Sequence, residues 1–194
     1  MNFKSGYFDL QALVEFAVNN PVMPNPKNKP LQEAYATLLN SIVCQVPSLS
    51  GWYVLGKVNE RGSWETVSLG KSVKKKTSSL HTRLYDLLRE DCSIAIWSEV
   101  YGQEPMILQH TELYHGKYNP ARGLRKSGSQ VVIWVVSEDT ISEKDVERQK
   151  QFLMKRYRST QNDARANVDS PQNEVTTALA KVIEEELKRM SKEA

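Results

Sequence analysis

The stretch that decides the fold is residues 50–72, SGWYVLGKVNERGSWETVSLGKS. Two runs rich in β-branched and aromatic residues, 54–58 and 64–69, flank the turn sequence Asn59-Glu60-Arg61-Gly62. This pattern predicts a β-hairpin. Two features exceed what a core-filling hairpin needs. The first strand opens on Gly51-Trp52-Tyr53, and the second runs through Gly70-Lys71-Ser72 into Lys74, Lys75 and Lys76.

Beyond the lysines, Ser79 is placed to cap a helix, LHTRLYDLLRED, with the apolar stripe Leu80, Leu84, Leu87 and Leu88. CSIAIWSEVYG then reads as a strand. Residues 102–129 are mostly polar and broken by Gly102, Pro105, Gly116, Pro120, Gly123 and Gly128, so they read as a long excursion. SQVVIWVVS is apolar on both faces, which predicts a central strand. TISEKDVERQKQFLMKRYR follows as a helix with Ser142 and Asp145 in a capping-box-like arrangement. A last helix starts near Asn173, with Val175, Leu179, Val182, Ile183, Leu187 and Met190 on one side.

Upstream of the hairpin, Leu10, Leu13, Val14 and Ala17 recur at helical spacing behind Asp9, a candidate N-cap. PVMPNPKNKP must be a loop, and Pro30 opens a second helix with the stripe Leu31, Ala34, Tyr35, Leu38, Leu39 and Ile42. These two helices are expected to form an N-terminal helical extension, residues 1–48. The expected fold is α/β, with a small, mostly antiparallel central sheet flanked by helices in residues 49–168. The excursion 102–129 is a basic insertion into that domain. A C-terminal helix, residues 169–194, completes the chain.

A chain of 194 residues is long enough for a substantial core, and 40% hydrophobic with 25% charged residues is ordinary for a globular domain. No apolar run approaches the roughly 20 residues of a membrane helix. The start, MNFKSGYFDLQ, lacks a signal pattern, so a cytoplasmic location is expected. Cys44 and Cys92 have neither a CxxC spacing nor a nearby His pair, and are expected to be buried free thiols. His81, His110 and His115 lack metal-ligand spacing and read as surface or phosphate-contacting groups. Trp52, Trp64, Trp97 and Trp134 read as core or sheet-face residues.

The net charge is only +3, but it is unevenly spread. Residues 71–83 hold five Lys/Arg and no acid, and residues 115–129 hold four and no acid. Two such blocks on one small domain favour a polyanionic partner. Arg83 sits at the margin of its helix's apolar face, and Glu147 lies one position off the stripe Val146, Leu153, Tyr157. Taken alone, these read as a snorkelling arginine and a solvated carboxylate. The ending Leu69-Gly70-Lys71-Ser72 is not a phosphate-binding loop, since Glu65 stands where the motif requires glycine.

In combination these residues resemble the GIY-YIG nuclease domain. Its first motif is matched by Gly51-Trp52-Tyr53 and its second by Ser68-Leu69-Gly70. The family arginine matches Arg83 and the family glutamate Glu147. The late asparagine falls on Asn162 by spacing and on Asn167 by the local wording ARANVD. Two positions depart. Ser68 stands where the second motif normally has another tyrosine, and Leu87 where the helix often carries a histidine. Both departures bear on activity more than on fold.

The resemblance implies a metal-dependent endonuclease of restriction or mobile-element type, acting on double-stranded DNA. Glu147 would hold Mg2+ or Mn2+, which would stabilise the leaving oxygen. Tyr53 would orient or deprotonate water, and would need cations such as Arg83 or Lys71 nearby to act near neutrality. Arg83 would offer its planar fork to the phosphate. Lys71 would partly replace what Ser68 lacks. Lys74, Lys75, Lys76, Lys117, Arg122, Arg125 and Lys126 would grip the duplex. No membrane is expected as a partner, and the C-terminal helix would pack on the domain or make a homodimer. The alternatives are a catalytically weakened nucleic-acid-binding module on the same fold, and a protein-interaction domain whose basic loops are only solvated surface.

Overall fold

The computed structural model describes residues 1–20, 22, 27–58, 63–92, 130–157 and 173–193. Four strands, β1 (Phe3–Asp9), β2 (Gly51–Val58), β3 (Trp64–Ser72) and β4 (Gln130–Ser137), form one sheet in the order β1-β4-β2-β3. Every neighbouring pair is antiparallel. The helices are α1 (Gln11–Asn19), α2 (Lys29–Val43), α3 (Leu80–Asp86), α4 (Glu143–Tyr157) and α5 (Glu174–Glu193). A π-helical segment, Leu87–Cys92, continues α3.

The expected α/β class and antiparallel sheet are found. QVVIWVVS is buried along its whole length and lies inside the sheet, between β1 and β2. Strand alternation sends its side chains to two cores. Val132, Trp134 and Val136 join Tyr53, Leu55 and Val67 under α1, α2 and α3. Val131, Ile133 and Val135 join Trp52, Val54 and Leu69 under α4 and α5. The sheet is thus sandwiched between two helical layers. α5 packs on β1 and β4 of its own domain.

The helix caps follow sequence chemistry. Asn28 accepts from the Leu31 N–H, Ser79 from Thr82 and Asn173 from Thr176. Ser142 and Asp145 close the expected box, Oγ to Oδ2 at 2.6 Å. Asp9 is one position early. α1 begins at Gln11, and the Asp9 carboxylate still accepts that residue's N–H at 3.0 Å.

Three expectations are corrected. The N-terminal segment is more than a helical extension, because Phe3–Asp9 forms an edge strand along β4. Gly6 interrupts its hydrophobic alternation, for a reason set by β4: a Cβ there would lie 2.6 Å from the Trp134 ring. The hairpin strands also run further than 54–58 and 64–69, taking in Gly51-Trp52-Tyr53 and Gly70-Lys71-Ser72. Cys44 is exposed, because it caps α2 one position past the buried Val43, off the helix's core-facing stripe. The strand expected over residues 92–102 and the excursion 102–129 lie outside the described residues, apart from Cys92.

Candidate functional site

β3 and β4 both run antiparallel to β2, so they are parallel to each other and finish where β2 starts. The helices that follow them, α3 and α4, begin at that same end. They leave to opposite faces, since Leu80 and Leu84 of α3 pack with Tyr53, and Val146 and Leu153 of α4 pack with Trp52.

The first residues of β2 organise this end. Gly51 lets β4 approach, because any Cβ would collide with the Val135 carbonyl oxygen. Trp52 Nε1 donates to the Val146 carbonyl of α4 at 3.0 Å. Ser50 accepts the Ser137 N–H on its carbonyl and the Lys74 N–H on Oγ, at 2.9 and 2.7 Å. The Leu49 carbonyl accepts from Leu80 at 2.9 Å. The segment 73–79 is thereby tied down as it passes from β3 to α3.

Tyr53 stands opposite Gly70 in the ladder and is only 3% exposed. Its ring and hydroxyl lie over Gly70, where a Cβ would come 2.5 Å from Oη. Ser68, two residues before Gly70, pairs with Leu55. Arg83 is exposed on α3. Tyr53, Gly70 and Arg83 thus belong to the α3 side.

Lys71 and Glu147 belong to the other side. Lys71 pairs with Trp52 and shares its face. Its Nζ lies 3.1 Å from Glu147 Oε2, while Gln151 Nε2 donates to Oε1 at 2.8 Å. The resemblance implies that Tyr53, Gly70, Arg83 and Glu147 line one concave surface within reach of a single phosphate, and the structure separates them, with Glu147 on the other side of the sheet. Side chains one residue apart on a strand face opposite ways, and α4 covers the face of Trp52, not that of Tyr53. What the structure brings together is Lys71 with Glu147, at the end of the sheet where the motif residues gather.

A second ion pair runs beside the first, from Lys75 Nζ to Glu143 at 3.2 Å. Lys71, Glu143, Lys144, Glu147 and Arg148 line an open cavity of about 530 Å³. Partial burial works to raise the Glu147 pKa. The hydrogen bonds from Gln151 and Lys71, and the charges of Lys150 and Lys71, outweigh it and hold the carboxyl below its ordinary value. Glu147 is thus a carboxylate, the form a metal or a phosphate would meet.

Lys74 and Lys76 are exposed on the segment after β3. His81 Nδ1 lies 3.1 Å from the Val46 carbonyl, a contact that fastens α3 to the chain after α2. Asn162, Asn167, Lys117, Arg122, Arg125 and Lys126 lie outside the described residues. Among the described residues, no group of three or more His, Cys, Asp or Glu gathers as a metal cage. Mg2+ commonly takes one or two carboxylates and keeps its waters, and Glu143 and Glu147 lie one turn apart beside the same cavity. The ammonium of Lys71 already sits on Glu147 as a cation. Both carboxylates are held by lysines, Glu147 by Lys71 and Glu143 by Lys75, and a divalent ion would have to displace them.

Sequence reasoning missed Gln151, Glu143 and Arg148. The signal was present for two of them, since Glu143, Glu147 and Gln151 are spaced four apart and share one stripe of α4.

No family model, no curated protein and no solved structure matches the chain.

Proposed function

We propose that this protein is a metal-dependent phosphodiester hydrolase acting on DNA. The GIY-YIG arrangement that its motifs resemble needs Tyr53, Arg83 and Glu147 on one surface. Glu147 lies on the face of the sheet opposite Tyr53, which counts against that type. The reading is carried by one observation: Lys71, directly after the second motif, meets Glu147 of α4 at 3.1 Å beside a cavity with further cations. That pairing sets a metal-ligating carboxylate next to a phosphate-binding ammonium. Glu147 would hold the ion with Glu143 beside it. When bound, Mg2+ or Mn2+ supplies Lewis-acid stabilisation of charge on the phosphate and leaving oxygens. Lys71 and Arg148 bind and orient non-bridging phosphate oxygens. Gln151 fixes the orientation of the Glu147 carboxylate through its hydrogen bond. Tyr53 is assigned a supporting role, packing on Gly70 to set the end of β3 from which Lys71 projects.

A second reading, the nucleic-acid-binding module without cleavage, is favoured by the burial of Tyr53, which leaves its hydroxyl little access to an attacking water. A single-turnover assay on plasmid DNA of mixed sequence separates the two. The wild-type protein is expected to nick in Mg2+ or Mn2+. Glu147→Ala is expected to abolish nicking while leaving DNA binding intact or tighter, since it removes a charge that repels phosphate. Wild-type protein that binds and never nicks supports the second reading. Cleavage by Glu147→Ala at the wild-type rate refutes the assignment of the metal ligand.

A further inference from the structure

Every carboxylate on the first turns of α4 already has a cation. Lys75 meets Glu143 at 3.2 Å, Arg148 meets Asp145 at 3.2 Å, and Lys71 meets Glu147 at 3.1 Å. Lys144 stands apart from these pairs. It is exposed, and it pairs with no acid among the described residues. The Lys75–Glu143 contact also fixes what Lys144 lies beside, because it brings the first turn of α4 against the segment 73–79. Lys74 and Lys76 flank Lys75 on that segment, are exposed, and likewise pair with no acid among the described residues. Lys74, Lys76 and Lys144 thus come from two distant parts of the chain to one patch, where the neighbouring acids are already neutralised. We infer that the segment 73–79 and the first turn of α4 form one binding surface for the backbone of a DNA duplex. Lys144 is a phosphate contact in it, and the surface works without a metal ion. The inference rests on the proposed function and extends its substrate surface from the loop onto α4.

The Lys75–Glu143 pair is a mark of proximity and not of strength. Its side chains are 59% and 62% exposed, and exposed pairs contribute little to stability. The segment is held by its backbone instead. The Lys74 N–H donates to Ser50 Oγ at 2.7 Å and the Lys75 N–H to the Ser78 carbonyl at 2.9 Å. Ser78 Oγ donates to the Val73 carbonyl at 3.0 Å. On the other side, α4 is anchored by Val146 and Leu153 in the core. The two halves of the patch are therefore ordered before any ligand arrives, which lowers the cost of binding. A repeating anion suits cations spread over a loop and a helix. Lysines are point charges on flexible stems, so they meet phosphates and read no base edges. The carboxylates of α4 are answered within the protein, so no divalent ion is needed to screen them from the backbone.

The test is fluorescence anisotropy over a salt series in EDTA, with the full chain and a labelled duplex of mixed sequence about 20 base pairs long, roughly two turns. The wild type is expected to bind in EDTA. Lys144→Gln is expected to flatten the slope of log affinity against log salt by about 0.9, the loss of one phosphate contact. Added to Lys74→Gln and Lys76→Gln, it is expected to remove about 0.9 more. Lys188→Gln, at an exposed lysine of α5, removes the same charge and is expected to leave the slope unchanged. A wild-type slope in Lys144→Gln, an equal loss in Lys188→Gln, or binding that vanishes in EDTA overturns the inference. The plasmid assay is read separately. Nicking by wild-type protein with no slope change in Lys144→Gln removes this surface and keeps the hydrolase. A flattened slope without nicking by any protein keeps the surface and removes the hydrolase.

Discussion

Gly70 has no side chain because the Tyr53 ring occupies the space one would need. The ring is held on its other side by the core under α3, so it cannot swing away. Gly70→Ala is expected to destabilise the protein by about 1–3 kcal/mol, the usual cost of overpacking a buried contact. Tyr53→Leu removes the outer half of the ring and is expected to relieve part of that cost. In urea denaturation the double variant should then be more stable than the sum of the single effects, by about 0.5–3 kcal/mol. Strict additivity would mean that the two residues do not press on each other. The same contact shows what the sequence can and cannot tell at this scale. Gly51-Trp52-Tyr53 and Gly70 stand out as a pattern, and their glycines have a packing reason that spacing alone suggests. The side of the sheet that each neighbour faces depends on which helix covers which face, and that information lies tens of residues away.

At the scale of elements, the C-terminal end of α4 is joined to the middle of α5. Arg156 of α4 pairs with Glu184 of α5, and the Tyr157 hydroxyl donates to the Ala180 carbonyl at 3.5 Å. Burial, then the charge of Glu184, pushes the Tyr157 pKa up to about 12 against the opposing pull of Arg156. Between the ordinary value of 10.0 and about 12, the unfolded chain loses this proton while the folded one keeps it. The unfolded state then binds fewer protons, so stability falls as pH rises through that window and is undiminished below it. Urea midpoints of wild-type protein are expected to drop across this range more steeply than those of Tyr157→Phe. Parallel curves would mean that the hydroxyl titrates alike in both states. Elements with strong local signals were legible, as QVVIWVVS and the capped helices show. β1 was not, because its alternation is broken by a glycine that exists to fit Trp134. The π-helical continuation of α3 was not either. Leu87 and Leu88 are buried in it as they would be in an α-helix, and the Tyr35 hydroxyl of α2, which donates to the Leu88 carbonyl at 3.1 Å, comes from a distant element.

Over the whole molecule, the sequence marked Lys71 and Glu147 one by one, but their pairing needed the sheet order and the seating of α4 on Trp52. The distribution of charge is the property that integrates these levels. A net charge of +3 is too small for general attraction to DNA to dominate, so binding must come from cations placed together. Lys74 and Lys76 are exposed on the tied segment that leaves the same strand end as Lys71. Lys181 is 76% exposed on α5, paired with Glu185 of its own helix. A lysine that neutralises one phosphate contributes about 0.9 to the slope of log affinity against log salt. Replacing Lys74 and Lys76 together by Gln is therefore expected to flatten that slope by about two units. Lys181→Gln should leave it unchanged, although it alters the net charge as much as either single replacement does. Fluorescence anisotropy with a labelled duplex over a salt series measures both. If all three lysines change the slope equally per charge removed, attraction is diffuse and the end of the sheet is not where DNA sits. If only the loop lysines matter, the duplex lies across the strand ends, beside the cavity that Lys71 and Glu147 share.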